Sequence, residues 1–345
     1  MKTLSILTLL DRSPNPFIWV LANGIASDAF RIDINYNNFW AIEKKYDVIQ
    51  IHQPEIFLNS RTDELPLAMF FKRLSETLRQ WKRSGTKIVY TLHDMIDHTR
   101  ESDEAQTGLY KIIESEADAI IHLGNYSKNL MLHNKPVDSR IHVVIPHHVY
   151  DTIYPFSIPQ SEAKQALGID EKYRVILVFG VFRDKAENLL VKNAFERLDD
   201  PDKYLFAPGW YHDRATEQGD NTVMVEGACW LGRGTVDRKM SPYCFSAADV
   251  VLIQRLHSLN SGNIPMGFLF NKTVVAPAIG NMKELIDNVH NYSFDPFDTE
   301  SLLMALGKGL ERSRLPQTNE PYARKHWSTE RTCNRYRQLY RQLTG

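Results

Sequence analysis

Arg183 and Lys185 follow a buried run, Val175–Phe179, in the segment ILVFGVFRDKAENLL. A guanidinium and an ammonium at the end of a strand can neutralise the charge that grows on a departing diphosphate. Asn260, Ser261, Gly262 and Asn263 occupy the corresponding place after a second buried run, Asp249–Ile253, and an apolar helical stretch then leads to a strand, Thr273–Pro277. This strand, turn, helix order carries backbone N–H groups to the carboxyl edge of a parallel sheet, where a helix start holds anions. Ser261, Gly262 and Asn263 are therefore candidates to cradle a phosphate. Glu284, in GNMKELID, is a carboxylate at a helix start that can accept hydrogen bonds from a ribose diol. Its alternative role is stabilisation of the helix's first turn, worth ~0.3–1 kcal/mol.

A different chemistry collects in the first half. His93 and Asp94 open the run HDMIDH directly after the strand Lys87–Leu92, where either side chain can orient or deprotonate a hydroxyl. With Asp97 and His98 the run also has the composition of a metal site, but no matching cluster of ligands stands elsewhere, and no metal is expected. His122, His147 and His148 fall at the ends of two further strands. Taken singly, each fits a hydrogen-bonded structural residue; together they make that edge polar.

These residues need strands and helices to position them. Leu4–Leu10, Phe30–Asn35, Val48–His52, Lys87–Leu92, Ala119–Leu123 and His142–Pro146 read as strands, separated by helical patterns such as Leu65–Ser84 and Thr107–Glu116. A Pro- and Tyr-rich linker, Tyr150–Pro159, is followed by a short helix, Ser161–Leu167. The second alternating series comprises Val175–Phe179, Tyr204–Ala207, Thr222–Glu226, Asp249–Ile253 and Thr273–Pro277. The tail His326–Leu343 has the pattern of a last amphipathic helix. The expected fold is α/β: two Rossmann-like doubly wound domains, 1–152 and 153–325, facing a cleft, with a last helical segment at 326–345.

Composition narrows the function classes. With 41 Lys and Arg against 42 Asp and Glu the net charge is -1, which argues against bulk binding to nucleic acid. Cys229, Cys244 and Cys333 are too scattered for a disulfide framework and fit free thiols in a reducing, cytoplasmic setting. Leu4–Leu10 is short for a signal segment and reads as a strand. The absence of G-x-G-x-x-G after either first strand, where the first turn is DRSPNPF, disfavours a dinucleotide-dependent dehydrogenase. That turn fits an acceptor-lining loop or a plain surface loop. Trp210, Tyr211, Trp230 and Tyr243 are candidates for stacking on a base or sugar, with core packing the default. The Lys and Arg residues of Leu65–Ser84 are compatible with peripheral membrane contact, although a solvated helix face accounts for them equally.

The chain resembles GT-B nucleotide-sugar glycosyltransferases, in particular the group-1-like family of bacterial polysaccharide biosynthesis. LGIDEKYRVILVFGVFRDKAENLL, FSAADVVLIQ and TVVAPAIGNMKELID carry the likeness in the second half; the HD after a strand, HLGNYSKNLM and VVIPHHVY carry a looser one in the first. The resemblance implies transfer of a hexose from a UDP- or GDP-sugar to a glycan or lipid-linked acceptor hydroxyl. On it, Arg183 and Lys185 contact the donor diphosphate, Ser261, Gly262 and Asn263 cradle it, Glu284 holds the ribose, His93 faces the sugar or acceptor, and the last helix, 326–345, crosses back onto the first domain. It implies no cofactor beyond the nucleotide sugar as co-substrate, and a site at the inner face of the membrane when the acceptor is a lipid. The chain departs from the family where paired glutamates are replaced by Ser258 and Met266, where Lys185 lies closer to Arg183, and where Ala186 stands for a common glycine. The departure keeps open a non-catalytic nucleotide-sugar-binding protein or partner subunit, and the HDMIDH run separately keeps open a metal-dependent hydrolase using His93, Asp94, Asp97 and His98.

Overall fold

The computed structural model describes residues 2–10, 16–94, 104–134, 138–211, 229–233, 236–287 and 290–345, excepting the side chains of 134, 210–211 and 229–233. The chain divides into two compact units, Met1–His148 with Thr329–Gly345, and Val149–Ser328.

The first unit runs β1 (Leu4–Thr8), α1 (Pro16–Ile25), β2 (Phe30–Ile34), β3 (Val48–Ile51), α2 (Ile56–Asn59) and α3 (Leu67–Arg83). It continues with β4 (Lys87–Leu92), α4 (Glu104–Glu116), β5 (Ala119–His122), α5 (Asn125–Asn134) and β6 (Ile141–Val144). The strands form one parallel sheet in the order β2-β1-β3-β4-β5-β6. β3 and β5 are buried along their whole length, as their Val- and Ile-rich sequences require of strands covered on both faces. α3 buries Phe70, Leu74, Thr77, Leu78 and Trp81, a helical stripe, and the Trp81 indole donates to the Phe39 carbonyl at 2.8 Å. On its polar face Arg73, Arg79 and Lys82 pair with Asp63, Glu116 and Asp118.

The second unit runs α6 (Gln160–Ala166), β7 (Arg174–Leu177), α7 (Lys185–Arg197), β8 (Lys203–Tyr211), β9 (Cys229–Arg233), α8 (Ser241–Ala247) and β10 (Val250–Leu252). It ends with α9 (Asn263–Leu269), β11 (Thr273–Pro277), α10 (Met282–Ile286), β12 (Tyr292–Phe294), α11 (Thr299–Ser313) and α12 (Asn319–Trp327). Its sheet is also parallel, in the order β12-β11-β10-β7-β8-β9. The sequence pattern missed β12 because only Phe294 of its three residues is buried, which leaves it without the apolar run that marks the equally short β10. The expected strand Thr222–Glu226 lies outside the described residues. The segment read as a linker is tied down: Ile158 N–H donates to Ser246 Oγ at 3.3 Å and Gln160 Nε2 to the Ala247 carbonyl at 3.1 Å.

The last helix expected over His326–Leu343 is present as α13 (Thr329–Thr344), and α12, just before it, was not anticipated. Ser328 is extended (φ -55°, ψ 148°), so α12 stops at Trp327 and packs its indole 4.9 Å from the Phe268 ring within the second unit. Then α13 (Thr329–Thr344) joins the first unit. Its Tyr340 hydroxyl donates to Gln50 Oε1 at 2.9 Å, Gln50 Nε2 donates to Thr91 Oγ1 at 3.0 Å, and the Tyr336 hydroxyl lies 3.2 Å from Thr91 Oγ1. α13 also seats Cys333 against Gly24, where any β-carbon would stand 2.5 Å from the sulfur. Cys244 and Cys333 are buried free thiols. Among the described residues no helix is long and apolar enough to cross a membrane.

Candidate functional site

β7 is the first strand of the second sheet, and the chain winds to β8 and β9 on one side and to β10 and β11 on the other. The loops leaving β7 and β10 therefore diverge, opening a crevice at the carboxyl ends of two neighbouring strands, where α/β sheets bind ligands. A cavity of about 450 Å³ lies there, a size suited to a small-molecule ligand. Arg183, Ser261, Gly262 and Asn263 line it, together with Arg255 and Asn260.

The two loops are stitched together along their length. Asn263 Nδ2 donates to the Phe179 carbonyl at 2.5 Å, Arg255 Nη1 to the Val181 carbonyl at 2.9 Å, and Arg183 Nη1 to the His257 carbonyl at 2.9 Å. Gly180 permits the turn between them, with φ +105°, and Gly209 of β8 lets that strand approach so closely that a β-carbon would sit 3.1 Å from the Gly180 carbonyl carbon. α7 starts on an Asp-x-x-Glu pattern. Asp184 caps it by accepting from Glu187 N–H at 2.9 Å, and Glu187 reaches back to accept from Arg183 N–H at 2.9 Å. The same Glu187 oxygen takes a hydrogen bond from Arg255 Nη1 at 2.8 Å. Burial pulls the Arg255 pKa down and Glu187 opposes that pull.

The other predicted residues fall around this cavity in different ways. Lys185 is the first residue of α7 and exposed; it is not among the described residues that line the cavity. Glu284 lies half-buried in the first turn of α10, also outside the lining. What the GNMKELID turn does deliver is a buried Asn281, whose N–H donates to the Leu259 carbonyl and whose Nδ2 donates to Asn260 Oδ1, both at 2.9 Å. Gly280 makes this possible with φ +54°; a β-carbon there would meet the Leu259 oxygen at 2.6 Å. Gly280→Ala is expected to destabilise the second unit by about 2 kcal/mol, from backbone strain and displacement of the 258–260 loop, and thermal unfolding measures this. Ser258 turns inward to bond the Asn260 carbonyl at 2.8 Å, and Met266 is packed in the core. α9 has seven residues, so the charge of its start comes from less than two turns. Sequence reasoning missed Arg255; the signal was its place three residues beyond β10, the buried strand adjoining the one that leads to Arg183.

In the first unit the carboxyl edge is built from uncharged imidazoles. Phe17 of α1 contacts four of them, its centroid lying 5.6 Å from His52, 5.0 Å from His93, 4.5 Å from His147 and 4.8 Å from His148. His93 follows β4 and places Nε2 3.3 Å from His52 Nδ1. Burial lowers the pKa of His93 to about 3, helped by His147, that of His147 to about 3, that of His148 to about 4, and that of His52 well below the usual value. Such groups accept or donate hydrogen bonds without charge, which suits a neutral hydroxyl more than an anion. Asp94 is half-buried beside them in sequence. His122 is fully buried at the end of β5, with Nε2 2.9 Å from His142 Nδ1, and His142 Nε2 is 3.0 Å from Asp138. Asp97, His98 and most of the DRSPNPF turn lie outside the described residues, as do the side chains of Trp210, Tyr211 and Trp230. Among the described residues no three His, Cys, Asp or Glu side chains are placed to hold a metal ion.

No family model matches the chain, and no curated protein matches it in sequence. Solved structures do. The Anabaena protein HepE, in complex with UDP and glucose, superposes with a TM-score of 0.71 over 98% of this chain and 100% of its own, at 14% identity. Sucrose-phosphate synthase from Thermosynechococcus elongatus gives 0.68 over 99% of both chains at 15% identity. The fold is GT-B. UDP-GlcNAc 2-epimerase from Neisseria meningitidis, bound to UDP-GlcNAc, is also similar, with a TM-score of 0.58 over 98% of this chain and 100% of its own, at 11% identity. A GT-B likeness at these identities fixes the arrangement of strands and helices in each unit; the chemistry has to be argued from the residues.

Proposed function

We propose that the protein is a glycosyltransferase that moves a hexose from a UDP- or GDP-sugar to a hydroxyl of a glycan or lipid-linked acceptor. The observation that carries this reading is the cavity at the β7–β10 switch point, where guanidinium groups meet a Ser-Gly turn. Crystallised neighbours of the same fold hold UDP or UDP-sugars, which supports a nucleotide diphosphate as the occupant. Arg183 neutralises the diphosphate as the bond between the anomeric carbon and the phosphate oxygen breaks, and Ser261, Gly262 and Asn263 offer it N–H groups. Lys185 adds a second positive charge at the start of α7, and Glu284 is assigned to the ribose. The acceptor is the ligand of the first unit. His93, too weak a base to hold a proton near neutrality, orients the attacking hydroxyl, and Asp94 takes its proton. The chemistry assigned to these side chains calls on no cofactor.

Isothermal titration with UDP and GDP tests the reading. Arg183→Ala is expected to weaken binding of the preferred nucleotide about tenfold, the loss of one charge-assisted hydrogen bond of ~1.5 kcal/mol. Indifference of the wild-type protein to every nucleoside diphosphate ends it. A second reading, a nucleotide-sugar-binding protein without turnover, is favoured by Ser258 and Met266 in place of the family's acidic pair. Slow hydrolysis of the donor sugar distinguishes the enzyme from the binder.

A further inference from the structure

The cavity holds a second guanidinium whose commitments lie on one nitrogen. Arg255 Nη1 is spent on the Val181 carbonyl and Glu187, while Nε and Nη2 have no hydrogen-bond partner among the described residues. Its side chain is 15% exposed against 2% for Glu187, so nearly all of the pair's accessible surface belongs to the arginine. Nη2 sits beneath Gly180, 3.9 Å from where a β-carbon would stand, and Gly180 is itself part of the cavity wall. Among the described residues the lining contains Arg183 and Arg255 and no carboxylate.

We propose that Arg255 is a second ligand of the diphosphate, a preset fork that meets the anion opposite the exposed Arg183. The pairing with Glu187 explains how a guanidinium stays largely buried: its charge is balanced and its plane is held by the protein itself. Arg183 is exposed and held by one hydrogen bond to the His257 carbonyl; Arg255 is largely buried and held by a carbonyl and a carboxylate. Glu187 is the positioning residue, since one carboxylate oxygen holds both the Arg255 fork and the Arg183 backbone. The assignment rests on the nucleotide-sugar reading for the identity of the ligand, and on the geometry alone for its diphosphate part.

Titration with inorganic pyrophosphate and with UDP separates the two. Arg255→Gln is expected to weaken both by tenfold or more, and Arg255→Lys, which keeps the charge but loses the planar fork, by several-fold with a melting temperature near that of the wild type. Should the glutamine variant fail to fold, Glu187→Gln with Arg255→Gln removes both charges together and is expected to show the same loss. Folded variants that bind pyrophosphate and UDP as the wild type does overturn the proposal and leave the nucleotide-sugar reading standing. A wild-type protein that binds pyrophosphate, but no nucleoside diphosphate, overturns that reading, and the pyrophosphate titrations then decide Arg255. A wild-type protein that binds neither overturns both.

Discussion

Lowering the pH from 7.5 to 5.5 is expected to cost the first unit about 4 kcal/mol of stability, a large share of the 5–15 kcal/mol that holds a typical domain together. The cause is a set of buried neutral histidines. His52, His122 and His148 are buried, and desolvation keeps their pKa far below 6.5, at about 3 for His122 and about 4 for His148. In the unfolded chain each takes up a proton as the pH falls through about 6.5, whereas in the folded unit none does until about pH 4. The unfolded state therefore binds more protons throughout that window, and stability falls with pH by roughly 1.4 kcal/mol per unit for each such group. Above pH 7 neither state is protonated at these positions and the dependence disappears. His93 and His147, half-buried and also depressed, act in the same direction. Thermal unfolding followed at pH 7.5, 6.5 and 5.5 is expected to show the transition of the first unit moving down in temperature while that of the second stays nearly fixed. A melting profile unchanged across this range would show that the imidazoles are not held neutral.

Removal of Thr329–Gly345 is expected to abolish folding of the first unit. The segment contributes Tyr336 and Tyr340, both essentially inaccessible to solvent, and truncating a single buried aromatic side chain costs about 3–5 kcal/mol. Two such losses approach the whole stability of a domain. The deletion also strips Gln50 and Thr91 of their tyrosine partners on the central strands β3 and β4, and uncovers the groove that Gly24 leaves for Cys333. Near-ultraviolet circular dichroism and limited proteolysis read the outcome: fragments of the second unit are expected to survive while the first is digested. A truncated chain with a protease-resistant first unit and its own cooperative transition would mean that α13 only decorates a self-sufficient sheet.

The sequence carried much of this architecture because parallel strands buried on both faces are written as uninterrupted apolar runs. β5, β10 and β11 show such runs, and β3 and β4 show runs broken only by the buried Gln50 and Thr91, separated by stretches with helical period. Short elements escaped. β12 has one buried residue in three, and α12 (Asn319–Trp327) was not read as a separate helix ahead of the last one. The cavity at the β7–β10 edge was legible in part for the same reason: Arg183 and Ser261 to Asn263 follow strands, and the ends of adjacent parallel strands are close in space.

What the residues determined by themselves is the pattern: two alternating series, a cationic turn after one strand, a Ser-Gly turn after another, and histidines after several more. Those features are local, and local chemistry is read directly from neighbouring letters. The fold decided which letters meet. Glu187 reads as an ordinary first-turn acid, and only the pairing of β7 with β10 brings Arg255, 68 positions away, onto its carboxylate. Likewise four histidines from three parts of the chain become one neutral cluster because β3, β4 and the segment after β6 end around Phe17. Their lowered basicity follows from desolvation, a property of the packed surroundings that no single stretch of sequence contains.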